Sequence, residues 1–166
     1  MWSATALLDP SLHSLVVNTH KDFINAGAKV IVTNNFAIRK LRLKENDIED
    51  KFEEATITAG RLAVKARDDL SNKNEVLIAG SLPTRNQTYH PNFILSKDNV
   101  YEELYQSVDL LNNFVDIFYL DVLSSIEEIE LSLKAIKNSN KSSLIGIHIK
   151  KNGKLLSLIQ DASENN

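Results

Sequence analysis

The sequence predicts an α/β protein in which helices and parallel strands alternate along the chain. Three observations carry this expectation. Short runs rich in β-branched or other apolar residues occur at positions 30–33, 76–79, 117–120 and 144–149, each too short for a helix. The segments between them place apolar residues at helical spacing. The runs end in small or polar groups, namely Thr33-Asn34-Asn35, Gly80-Ser81 and Asp121, and the carboxyl end of a strand is where an α/β sheet presents its chemistry. Such alternation implies parallel pairing with right-handed crossovers.

Taken in order, Asp9-Pro10 opens the first helix, because Asp accepts from free amides of the first turn and Pro loses no bond there. Leu12, Leu15, Val16 and Phe23 are its expected inner face, and Gly27 its left-handed terminator. His13 and His20 lie seven apart without a third ligand, so they are read as surface or satisfied polar groups rather than a metal site. The stretch AGAKVIVTNNF, residues 26–36, then forms a turn and a strand expected to be buried on both faces.

The basic connection 39–46 lacks the glycines of a phosphate-binding loop and is expected to be a solvated face. A helix over about 48–70 carries Phe52, Ala55, Ala59, Leu62, Ala63, Ala66 and Leu70, whose small members suit close packing on a sheet. The second strand runs into Gly80-Ser81-Leu82-Pro83, and a loop over 84–96 follows, a lid or a plain connection.

A third helix over about 100–113 leads to the strand that places Asp121 at its carboxyl end. Ser124 with Glu127, or Ser125 with Glu128, fits a capping box for the next helix. Ile126, Ile129, Leu133 and Ile136 are its expected buried stripe. After the fourth strand the pattern fades, and the tail 160–166 is expected to fray.

Composition narrows the function. The 166 residues are 43% hydrophobic and 25% charged, as in one ordinary domain with a core. A net charge of −3 without a basic stripe argues against nucleic acid as a main partner. The absence of cysteine rules out disulfides, a thiolate nucleophile and cysteine-held metal within these residues, and suits the cytoplasm. No secretory leader is evident at the start, and no apolar run approaches the roughly 20 residues needed to span a bilayer, so a membrane is not an expected partner. Ser81 and Asp121 form no recognisable hydrolase elbow.

Two architectures accommodate four such units: a small doubly wound sheet, or part of a (β/α)8 barrel. Pattern alone favours the complete small sheet, since four strands cannot close a barrel. Particular residues point the other way. Trp2-Ser3-Ala4 with Leu8, His20, AGAKVIVTNNF, Ala79-Gly80-Ser81-Leu82-Pro83 with Tyr89 and Pro91, the helix over 101–111, and FYLDVLSSIEEIE over 118–130 occur in one order. In that order and spacing, over about residues 2–150, the chain resembles the homocysteine S-methyltransferases, the homocysteine-binding TIM barrels.

The resemblance implies one partial barrel unit over 1–166, covering about strands 2 to 5 of the eight. The family's opening strand and its later cysteine motifs lie outside these residues, so the chain is expected to be truncated at both ends. In the family, zinc held by three cysteines binds homocysteine sulfur as a thiolate, which attacks an activated methyl group to give methionine. A metal lowers the thiol's ordinary value near 8.5 enough for this at neutral pH. The implied partners are homocysteine and a small methyl donor. The implied substrate-binding residues are Asp121, where the family usually has Glu to anchor the amino group, with Thr33, Asn34 and Ser81 lining the pocket. Asn35 stands where the family usually has Thr. No catalytic residue and no metal ligand is assigned in this chain, so independent catalysis is not expected although zinc belongs to the intact family. The alternative is a non-catalytic half-barrel module that self-associates through its open edges.

Overall fold

The computed structural model describes residues 2–85 and 95–149. Its four strands, β1 (Val30–Val32), β2 (Leu77–Pro83), β3 (Ile117–Leu123) and β4 (Ser143–Ile147), lie side by side, all parallel, in the order of the sequence. That order decides between the two architectures. A doubly wound sheet reverses its strand order at a switch point; a barrel segment keeps it, and right-handed crossovers then carry every connecting helix to one face. The described residues form a four-stranded piece of a barrel wall.

Six α-helices accompany the sheet among the described residues: α1 (Thr5–Leu8), α2 (His13–Asn25), α3 (Lys40–Lys44), α4 (Phe52–Asp68), α5 (Lys97–Leu111) and α6 (Ile126–Ile136). Their ends follow local chemistry. The Asp9 carboxylate accepts from the Ser11 amide at 2.9 Å and caps a 3-10 turn, Pro10–Leu12, that leads into α2. Gly27 follows α2 at φ +104°, a conformation costly for any residue with a Cβ. Ser96 caps α5, and Ser125 caps α6 by accepting from the Glu128 amide. Ser124, the other capping candidate, instead bonds His148 Nδ1 at 2.9 Å.

The register shows which side chains share a face. Val30 pairs with Leu77, Ala79 with Ile117, and Ser81 with Tyr119, which in turn pairs with Leu144. The alternate set, Ile31, Ile78, Leu82, Phe118 and Leu120, points to the helices and is buried with Val100, Leu104, Val108 and Leu111 of α5. A second apolar cluster joins α1, α2 and α4 through Leu7, Val16, Val17, Phe52, Ala55 and Ala59.

Four expectations are corrected. The strand β1 is not buried on both faces: Ile31 is buried, whereas Val30 and Val32 are exposed, because no described element packs over them. On α2 the buried residues are Val16, Val17, His20 and Ile24, while Leu15 and Phe23 are 59% and 61% exposed, since that flank overhangs the free edge of β1. The basic connection is the short helix α3, with Leu43 fully buried, rather than a wholly solvated face. On α6 the stripe is rotated: Glu128, Ser132, Ala135 and Ile136 are buried and Leu133 is exposed, because Glu128 is drawn inward by groups at the end of β2. The lid segment and the tail 160–166 lie outside the described residues, apart from residues 84–85 and 95–96 at the roots of the loop. Among the described residues no helix is long and apolar enough to cross a membrane.

Candidate functional site

The carboxyl ends of β1, β2 and β3 bring three of the four expected site residues together. Ser81 sits in β2, fully buried, and its hydroxyl donates to Asp121 Oδ2 across the β2–β3 pair at 3.3 Å. Thr33 follows β1. Its hydroxyl accepts from the Ser81 amide at 2.9 Å and donates to Asn35 Oδ1 at 2.6 Å. Asn35 closes the circuit by donating from Nδ2 to the Ser81 carbonyl at 3.0 Å. This asparagine, which stands where the family usually has threonine, bridges the ends of two strands. Every polar atom of Thr33 and Asn35 named here is engaged within the wall, so their contribution is to hold Ser81 and thereby Asp121 in place.

Asn34 is turned elsewhere. It accepts from the Ser3 hydroxyl at 3.0 Å and donates to the Ser3 carbonyl at 3.1 Å, pinning the start of the chain to the end of β1. It lines the cavity beside β1 and has no contact with the Asp121 group among these bonds.

Asp121 is half-buried on the inner face, and burial pushes its carboxyl above the ordinary value of 3.8, with hydrogen bonds from Ser81 and Tyr119 partly offsetting this. Tyr119 was not among the expected residues. It lies two positions before Asp121 and so on the same face of β3. Burial first, then the neighbouring carboxylate, raise its phenol above 10.0, so it stays protonated and able to donate. The period of two along β3 was the available signal for it. Immediately after Asp121 the pairing of β3 with β4 slips between Leu120 and Leu123. There Val122 adopts φ +64°, a strained conformation for a β-branched residue. Strain of this kind persists only where its surroundings hold it, and it collects at ligand-facing positions.

Behind this end of the sheet, a buried ionic cluster fixes the root of the loop after β2. Glu128 accepts from the Thr84 hydroxyl at 2.8 Å and from the Arg85 amide. The fully buried Arg85 guanidinium donates to Ser107 Oγ at 2.6 Å and stands 3.5 Å from Glu103, whose carboxylate also accepts from the Lys40 amide. Arg39 donates to the Thr84 carbonyl at 3.1 Å. Arg39, just before α3, and residues on α5 and α6 thus converge on two consecutive positions, Thr84 and Arg85. Burial lowers the Arg85 guanidinium, and the carboxylates of Glu103 and Glu128 oppose that shift.

The donor set does not fit a zinc site of the family type. The 166 residues contain no cysteine, and among the described residues no three His, Asp or Glu side chains converge. What the inner face offers is a carboxylate flanked by two hydroxyl donors, suited to an ammonium group.

Comparison with known proteins bears on the fold and the family. No curated protein matches the sequence. Among solved structures, the metallated form of the homocysteine methyltransferase MmuM from Escherichia coli superposes with a TM-score of 0.79 at 19% identity, over 93% of this chain and 58% of that one. The oxidized form gives 0.79 at 20% identity, over 93% and 57%. The apo form gives 0.66 at 20%, over 94% and 56%. At such identities the likeness establishes the fold, and the chain spans a little over half the length of these relatives. The profile described as homocysteine S-methyltransferase matches residues 1–164. Matched along nearly its whole length and folded as a piece of the corresponding barrel wall, this chain belongs to the homocysteine S-methyltransferase family.

Proposed function

We propose that this chain carries the homocysteine-anchoring wall of a methyltransferase barrel, in which homocysteine sulfur attacks an activated methyl group: the S–CH3 bond forms, the donor–CH3 bond breaks, and methionine results. The observation that supports this most directly is Asp121 on the inner face, accepting from Ser81 and flanked by Tyr119. Its carboxylate pairs with the substrate ammonium. Ser81 and Tyr119 orient it, and Thr33 and Asn35 hold Ser81. Asn34, tied to Ser3, shapes the neighbouring wall. Because the chain contains no cysteine, it cannot supply the family's sulfur-activating metal site, and by itself it binds rather than turns over.

Calorimetric titration of the chain with homocysteine tests this. Asp121→Asn should weaken binding about 10- to 100-fold, the worth of one charged hydrogen bond. Unchanged affinity would remove Asp121 from the site. Because its carboxyl titrates above 3.8, ammonium binding should fade as pH drops through a value higher than that of an ordinary aspartate. Methionine formed from a labelled methyl donor by the metal-free chain would contradict the assignment of no independent catalysis.

A second reading has its own observation, the uncovered apolar inner face with Leu77 and Leu144 at 45% and 49% exposure. A face of this kind, on a sheet whose β1 and β4 have no outer neighbour among the described residues, suits an assembly module that self-associates.

A further inference from the structure

Between β3 and β4 the ladder carries one residue too many. Leu120 pairs with Ile145 and Leu123 with Ile147, so Asp121 and Val122 together face the single residue Gly146. A bulge of this kind re-aims the side chain beside it, and here that side chain is Asp121. Alternation along β4 puts Gly146 on the same face as Leu144, the register partner of Tyr119. The space above this glycine is filled by its neighbour. A Cβ at 146 would stand 2.6 Å from the Tyr119 hydroxyl oxygen and 3.1 and 3.2 Å from ring atoms Cε2 and Cζ. The phenol thus lies across β4 where a side chain at 146 would be, and its hydroxyl donates from there to Asp121. Ser81 donates to the same carboxylate from β2 at 3.3 Å. The need for glycine is one of space, since Gly27 is the glycine at positive φ among the described residues.

We propose that Gly146 is a positioning residue for the Asp121 carboxylate: having no side chain, it admits the Tyr119 phenol over β4, so that Asp121 is held from the β2 side and the β4 side at once. This rests on the reading of Asp121 as the ammonium anchor and adds the residue that makes its geometry possible. A carboxylate offers about four acceptor sites. Ser81 and Tyr119 occupy two of them and leave about two for the N–H groups of an ammonium. Held by donors on both sides, the carboxylate loses little freedom when that ammonium arrives. A side chain at 146 would undo this, because an oxygen 2.6 Å from a methyl carbon is well inside contact distance. Tyr119 belongs to a strand paired on both sides, so its ring rather than its backbone yields, and the hydroxyl moves away from Asp121.

Three variants of the full chain test this: Tyr119→Phe, Gly146→Ala and the two combined, with circular dichroism as the check on folding. The Asp121 carboxyl is followed by carbon NMR across pH in the ligand-free chain. Tyr119→Phe removes a donor that favours the charged form, so the carboxyl should titrate at higher pH than in the parent. Gly146→Ala should raise it as well. The combined variant should titrate no higher than either single one, since both act through the same hydroxyl. It should also melt above Gly146→Ala, because without the phenol oxygen the remaining contacts at 3.1 and 3.2 Å need only a slight adjustment. Homocysteine, titrated calorimetrically, should bind each variant about three- to tenfold more weakly. A carboxyl that Gly146→Ala leaves in place, single effects that add, or a combined variant as unstable as Gly146→Ala would overturn the positioning role. A carboxyl that moves as expected with homocysteine affinity unchanged would leave the Tyr119 and Gly146 arrangement standing and overturn the ammonium reading of Asp121.

Discussion

The two faces of the sheet are built from the same kinds of residue and have opposite fates. On the outer face Ile78, Leu82, Phe118 and Leu120 are wholly buried under the helices. On the inner face Val30, Val32, Leu77 and Leu144 are as apolar and remain open to solvent. Since burial rather than hydrophobicity itself stabilises, the outer face carries most of the stability that the described residues account for. The same division runs through the polar groups. At the back of the sheet Glu128, Arg85 and Glu103 gather in a buried ionic cluster, whereas at the front Asp121 keeps a half-buried carboxylate.

The sharpest way to break this comparison is a matched pair of truncations. Phe118→Ala should cost about 3–5 kcal/mol in urea unfolding at any protein concentration, because it opens a cavity in a packed layer. Leu77→Ala should cost under about 1 kcal/mol in dilute solution, because that side chain is already half in water. Equal costs for the two would mean that the inner face is covered within a single chain.

A smaller effect probes how tightly the helical layer is packed. Gly60 lies inside α4, and a Cβ there would stand 2.8 Å from Phe114 Cβ and Cγ. Gly60→Ala should therefore destabilise by about 1–3 kcal/mol, although alanine favours the helix by about 1 kcal/mol. Stabilisation on thermal melting would show that the layer yields.

The smallest effect lies at the boundary between the two faces, at His20. Burial holds its imidazole below the ordinary 6.5. The unfolded chain takes up this proton first as pH falls, so the folded chain loses stability below about pH 6.5, with the slope set by one proton. His20→Gln should flatten that slope in denaturant midpoints measured across the interval, and an unchanged slope would assign it to another group.

Much of the fold was legible because it is written locally. Gly27 and Ser125 mark element ends through bonds to their own neighbours as expected, and Asp9-Pro10 caps the 3-10 turn that leads into α2, although the short helix α1 comes before it. The errors fall where a side chain answers to something distant in sequence. Periodicity identified α2 and α6 as amphipathic, but Leu15 and Phe23 face an empty edge and Glu128 is pulled inward from 43 and 44 residues away. The site divides in the same way. Asp121 and Ser81 were legible as polar ends of strands. The bridging of Thr33 and Asn35 to Ser81 depends on the pairing of β1 with β2, and the separation of Asn34 depends on where Ser3 lies.

The sequence by itself determined the alternation of strand and helix, the family and the absence of any thiolate, because these are matters of residue type, order and spacing. Only the tertiary structure decided that the strands run in unreversed order, and that among the described residues Val30, Val32, Leu77 and Leu144 are left uncovered while Ile78, Leu82, Phe118 and Leu120 are buried. The physical reason is that a strand's apolar residues state a need for cover, while what supplies the cover depends on contacts the strand does not encode.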